Sequence, residues 1–131
     1  MSFIQGGEVL MAAILVVDDE RDPCTMMFRI LSAKGHEVIT CTDGHEAMVW
    51  LERRKPDLRV VNLKLQSLDG MFLLRLTREH DPQTNVVILM VYPSAETASE
   101  ALPSGFAKYL IKPIEIGDLE TNVEEVLSSI S

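Results

Sequence analysis

Three places in the chain carry side chains able to do chemistry together. The stretch "ILVVDDE" sets two adjacent carboxylates, Asp18 and Asp19, directly after an apolar run. "PDLRVVNLKLQSLDG" closes a second apolar run on Asn62, and "YLIKPI" places Lys112 and Pro113 after a third. Clustered carboxylates repel one another unless a divalent cation sits among them, and Mg²⁺ takes carboxylate oxygens together with waters and ligand oxygens. A lysine beside such a cluster neutralises negative charge on whatever binds there. Asn62 brings neither a full charge nor a nucleophile, because its nitrogen lone pair is delocalised into the carbonyl.

These groups work together only if the chain brings distant residues to one place. Five short apolar runs predict strands: 12 to 17, 37 to 41, 58 to 63, 85 to 91 and 107 to 111. Several are β-branched and nearly continuous, as in strands covered on both faces of a parallel sheet. Amphipathic stretches between them predict helices over 23 to 33, 45 to 54, 71 to 80, 95 to 102 and 115 to 130. Gly35 sits just past the first helix, where a left-handed residue is favoured. Asp43 and Asp69 can cap the helices that follow them, and Pro103 ends the fourth. The alternation implies an α/β fold, a doubly wound parallel sheet with right-handed crossovers. Ligands in such sheets gather beyond the carboxyl ends of the strands, where strands one and three are neighbours. That is where Asp18, Asp19, Asn62 and Lys112 fall.

Composition narrows the function classes. The 131 residues fit one domain, 47% hydrophobic and 24% charged, with no apolar run approaching the roughly 20 residues of a membrane span. A net charge of −8 repels a phosphate backbone, so nucleic-acid binding by this domain is not expected. Cys24 and Cys41 lack paired spacing and read as buried, reduced thiols of a cytoplasmic protein. Residues 1 to 12 read as a flexible extension without the basic region of a secretory signal, and 13 to 131 as the domain. His36, His45 and His80 lack metal-ligand spacing and read as solvated. Met26, Met27, Met71, Met90 and Trp50 read as packing residues, and Lys55 as part of a solvated charge run.

The acidic pair, "PDLRVVNLKLQSLDG", "GFAKYLIKP" and the order of elements together resemble the receiver domain of bacterial two-component response regulators, over nearly the whole chain. The resemblance implies a flavodoxin-like (βα)5 fold with strand order 2-1-3-4-5. It implies Mg²⁺ held by the acidic pair and an aspartate that takes a phosphoryl group from a histidine kinase. Carried over by position, Asp18 and Asp19 match the metal-binding acids, Asn62 falls on the phosphoacceptor, and Lys112 matches the lysine that contacts the phosphoryl group. The Lys64 backbone carbonyl would face the metal, and Tyr109 falls on the aromatic switch residue. Partners implied are a histidine kinase, an effector domain or a second receiver in a homodimer, met through the fourth helix, fifth strand and fifth helix.

Four positions depart from the family pattern. Asn62 removes the nucleophile, and Val91 replaces the Thr or Ser whose hydroxyl reaches the phosphoryl oxygen. Tyr92 stands where a small residue keeps the pocket open, and Gln66 replaces a proline. With one like charge gone at about 4 Å, repulsion falls by on the order of 4 kcal/mol at an effective dielectric near 20. Mg²⁺ is then bound more weakly, and Lys64 or Lys112 is expected to take over part of the cation's place, the alternative for Lys64 being a side chain that points to solvent. Two readings follow. One is a degenerate receiver that acts as a phosphorylation-independent interaction module and not as an enzyme. The other is a Mg²⁺-dependent receiver whose acceptor Asp was mutated to Asn. A flavin-binding domain of the same shape would need a Ser/Thr/Gly-rich loop where this chain has "DDERDP".

Overall fold

A computed structural model describes residues 4–5, 8–9, 11–63, 73, 75, 78–79, 81, 83, 85–91 and 108–128. Five strands form a parallel sheet: β1 (Ala13–Val17), β2 (Glu37–Cys41), β3 (Leu58–Asn62), β4 (Asn85–Met90) and β5 (Lys108–Ile111). Their spatial order is β2-β1-β3-β4-β5, the doubly wound arrangement expected from the sequence. Helices α1 (Arg21–Ala33) and α2 (Gly44–Leu51) connect the first strands, and a C-terminal helix spans Ile116–Ser128. Leu73, Arg75, Arg78 and Glu79 also have helical backbone, within the expected third helix. The expected fourth helix, with Pro103, lies outside the described residues, as do Met71, Asp69 and His80. Within the N-terminal extension, Ile4–Gln5 pairs antiparallel with Glu8–Val9.

Strand periodicity divides the interior into two layers. Ile14, Val16, Leu58, Val60, Val87 and Leu89 face α1 and the C-terminal helix, packing on Met27, Leu31, Leu119 and Val123. The alternate residues Leu15, Val17, Val61, Val86 and Ile88 face the other way, against Ala47 of α2 and Leu73. Successive side chains of a strand point to opposite faces, so covering both faces demands the near-continuous apolar runs seen in the sequence. The methionines follow: Met27 and Met90 are buried and Met26 packs against the first core. Trp50 packs against the second and carries Arg54 over its ring.

Local signals set the element ends. Gly35 has φ +96°, and the Gly35 and His36 N–H groups return to the Ser32 and Leu31 carbonyls, closing α1 in a paired turn that favours glycine. The Asp43 side chain caps α2 by accepting from His45 N–H at 2.8 Å. The Lys112–Pro113 peptide bond is cis.

Two polar residues depart from the expected pattern. His36 is buried at 6% exposure, not solvated. The reason is a backbone donor: Ala12 N–H, just before β1, lies in the interior and donates to His36 Nδ1 at 3.2 Å. An unpaired buried N–H would be costly, and the imidazole removes that cost. Burial lowers the His36 pKa from its ordinary value, with Glu124 opposing and Lys34 assisting. Arg59 lies in β3 at 3% exposure, with Asp81 at 4.0 Å. Its Nε and Nη1 have no hydrogen-bond partner among the described residues, and burial pulls its pKa down to about 10.

Candidate functional site

The carboxyl ends of β1, β3 and β5 bring the expected residues into one bay. Val17 is the last residue of β1, so Asp18 and Asp19 emerge where the strand stops. Asp18 is held there by its own N–H, which donates to the Cys41 carbonyl of β2 at 3.1 Å. Asn62 closes β3, the neighbouring strand. Lys112 follows β5, its N–H donating to the Met90 carbonyl at 2.7 Å. Residues far apart in sequence thus meet because the parallel order places β1 beside β3 and all strands point the same way.

The side chains interlock by charge and hydrogen bonding. Asp18 is fully buried, and each of its carboxylate oxygens is engaged. Oδ1 accepts from Glu20 N–H at 3.0 Å and from Asn62 Nδ2 at 3.4 Å, while Oδ2 accepts from Lys112 Nζ at 2.9 Å. Asn62 Nδ2 also donates to Asp19 Oδ1 at 3.2 Å, so the amide turns its donor end to both acids, as two anionic acceptors require. Lys112 Nζ reaches a second acid as well, Glu20 Oε1, at 2.8 Å. An aspartate in place of Asn62 would present a third anion to Asp18 and Asp19; the amide presents a donor.

Burial pushes the Asp18 carboxyl up from its ordinary value, while the Lys112 and Glu20 N–H bonds hold that rise back. Burial alone would push Lys112 down, but its bonds to Asp18 and Glu20 carry it above its ordinary value. Cys24 donates its thiol to the Asp18 carbonyl at 3.2 Å. Burial first, and the nearby Asp18 charge second, push Cys24 up to about 11, and burial pushes Cys41 up to about 12. Both are buried free thiols, as the sequence suggested.

Asp18, Asp19 and Glu20 can each offer one oxygen, all within 4.8 Å of one another. Hard carboxylate donors in that number suit Mg²⁺, with Asn62 able to turn its carbonyl oxygen inward. A cation bound there would supply charge neutralisation for the acids and for an oxyanion beside them. Glu20 was not singled out from the sequence. Its signal was the third acid of "DDE", and only the fold shows that it reaches Lys112.

The mouth of the bay opens into a cleft of about 560 Å³ lined by Glu20, Asp22, Pro23, Met26, Val91, Lys112, Pro113 and Ile114. Val91, at the expected hydroxyl position, is 43% exposed and offers that cleft no donor. Tyr109 and Ile111 stand exposed on β5, an edge strand of the sheet, and Ile116 is exposed at the start of the C-terminal helix. Lys64, Gln66 and Tyr92 lie outside the described residues.

Comparison with known proteins agrees with this fold. The response regulator receiver domain family matches residues 14–124. The transcriptional regulatory protein ZraR of Escherichia coli O157:H7 is 34% identical over 115 residues, which are 88% of this chain and 26% of that protein. The crystal structure of NtrX from Brucella abortus superimposes with a TM-score of 0.85 at 34% identity, covering 91% of this chain and 28% of that one. A CheY-like receiver domain protein from Methanospirillum hungatei JF-1 gives a TM-score of 0.87 at 26% identity over 91% of this chain and 95% of its own. The chain belongs to the response regulator receiver domain family, the signalling modules of two-component systems. It spans about a quarter of the length of the ZraR relatives it matches. Receiver domains of this family generally bind Mg²⁺ in an acidic pocket, and response regulators interact with histidine kinases and effector domains. No helix among the described residues is long and apolar enough to cross a membrane.

Proposed function

We propose that this domain is a degenerate receiver, a cytoplasmic protein-interaction module that signals without aspartyl phosphorylation. The observation that carries the reading is the Asn62 amide, whose Nδ2 donates to Asp18 and Asp19 at the place where the family keeps its nucleophile. An amide cannot form a stable acyl phosphate. Val91 supports the same reading, because a mutated but otherwise competent receiver would retain its switch hydroxyl. Mg²⁺ binds weakly, held by Asp18 and Asp19 with help from the position 62 side chain and the Lys64 carbonyl. Lys112 covers Asp18 meanwhile.

Output then comes from a standing surface. Tyr109, Ile111 and Ile116 expose apolar area on β5 and the C-terminal helix. Apolar, aromatic patches of this kind are where partners dock. A kinase, an effector domain or a second receiver meets the domain there. The test is incubation with acetyl phosphate and Mg²⁺ followed by intact-mass measurement. No acid-labile phosphoryl adduct is expected, and a stable gain of one phosphoryl group overturns the reading. In Asn62→Asp, labelling is expected to return without a change in self-association, because Val91 cannot relay it.

A further inference from the structure

Glu20 looks like a third oxygen donor beside Asp18 and Asp19, yet its carboxylate is already engaged. Lys112 Nζ lies 2.8 Å from Glu20 Oε1 and 2.9 Å from Asp18 Oδ2. The ammonium is thereby stretched between an acid with no exposed side-chain surface and one at the mouth whose side chain is 62% exposed. The opposite oxygen of Asp18 is filled by Glu20 N–H and the Asn62 amide. A divalent cation that reaches Asp18 Oδ2 must therefore share that oxygen with the ammonium or displace it, and Lys112 is the donor whose charge repels it.

We infer that Glu20 is the latch that holds Lys112 on Asp18, not a ligand of the divalent cation, and that Lys112 is a tethered cation with which any divalent ion competes. The inference rests on the reading above, in which Asn62 leaves the bay without an acceptor anion. Two further features fit it. Asn62 offers the acids a donor and no negative charge, so the lysine's strong anionic contacts fall on Asp18 and Glu20. The cleft beside Lys112 provides a second berth: Met26, Val91 and Ile114 can pack along its methylene stem while Asp22 at the rim meets the ammonium. Lys112 then has two positions, on the acids and in the cleft, and cation occupancy selects between them. The input to this bay becomes divalent-ion concentration in place of a phosphoryl group.

The test is a Mg²⁺ titration followed by two-dimensional amide NMR, at fixed ionic strength, on four chains: wild type, Lys112→Met, Glu20→Gln and Asp19→Asn. Removing the tethered charge is expected to tighten Mg²⁺ binding at least about tenfold, and Asp19→Asn to weaken it about tenfold or more. Glu20→Gln loses a negative charge but frees the lysine, so its affinity is expected to stay within about threefold of wild type. Glu20→Gln weakening binding as much as Asp19→Asn would make Glu20 a ligand and overturn the inference. So would a Lys112→Met chain with unchanged affinity. Should Lys112→Met lose its dispersed spectrum, Lys112→Gln takes its place with the same expected direction. Phosphoryl labelling by acetyl phosphate would defeat the degenerate reading while leaving this order of affinities intact. The wrong order in an unlabelled chain would defeat the latch alone.

Discussion

Restoring an aspartate at position 62 is expected to destabilise the metal-free domain and make its stability depend on Mg²⁺. The Asn62 nitrogen lies 3.4 Å from Asp18 Oδ1 and 3.2 Å from Asp19 Oδ1. A carboxylate oxygen at the same place turns two attractive contacts into repulsions of about 5 kcal/mol each at an effective dielectric near 20. The chain can escape by protonating one carboxyl at pH 7, about three pH units above the ordinary value, which costs about 4 kcal/mol. That escape caps the penalty, and side-chain rotation and Lys112 reduce it further, leaving about 2–4 kcal/mol. For a domain of this size, such a loss lowers Tm by on the order of 10 °C. The assay is thermal unfolding of wild type and Asn62→Asp in EDTA and in excess Mg²⁺. The variant should melt well below wild type in EDTA and recover most of the difference when Mg²⁺ binds the native state. Equal Tm values in EDTA would refute the reasoning, because the acids would then not share the bay with position 62.

Two other predictions concern the polar residues outside the bay. His36 has a lowered pKa when folded, so its stabilising contribution is complete above the unfolded value of about 6.5 and is lost as pH falls through it toward the folded value. Urea unfolding of wild type should therefore weaken between about pH 7 and pH 5 more steeply than that of His36→Gln, whose amide oxygen still accepts from Ala12 N–H; parallel slopes would sink the assignment. Arg59 is buried with two nitrogens that find no hydrogen-bond partner among the described residues, so Arg59→Met is expected to raise stability by about 1 kcal/mol or more, whereas Asp81→Ala lowers it by removing a counter-charge from the guanidinium. Urea midpoints check both signs, and a destabilised Arg59→Met would show that the guanidinium holds the loop before β4 in place.

Much of this architecture was legible because parallel strands buried on two faces must read as apolar runs. The expected bounds of β2 match to the residue, and those of β1, β3 and β4 run over by one residue at an end, where Ala12, Leu63 and Val91 continue the apolar pattern. The first helix begins two residues earlier than expected, since Arg21 and Asp22 carry no apolar signal, and α2 stops at Leu51 before the charged run "ERRK". The bay followed from strand ends and topology. What periodicity could not show was which polar side chain answers which backbone group. His36 needed Ala12 N–H, and Glu20 needed Lys112; both pairings join residues more than twenty positions apart. Arg59 is harder still, because a charge inside an otherwise apolar strand contradicts the pattern that locates the strand.

Asp18 ties more of the molecule together than its chemistry requires. Its backbone is anchored to β2 and to the Cys24 thiol, and its carboxylate gathers the start of α1, the end of β3 and the lysine after β5. Such a residue is architectural mortar, and loss of its carboxylate would loosen the start of α1, the end of β3 and the end of β5 at once. Selection can therefore keep the first acid long after phosphate traffic has ceased, which makes an intact acidic pair a poor diagnostic of living phosphotransfer in any chain of this shape.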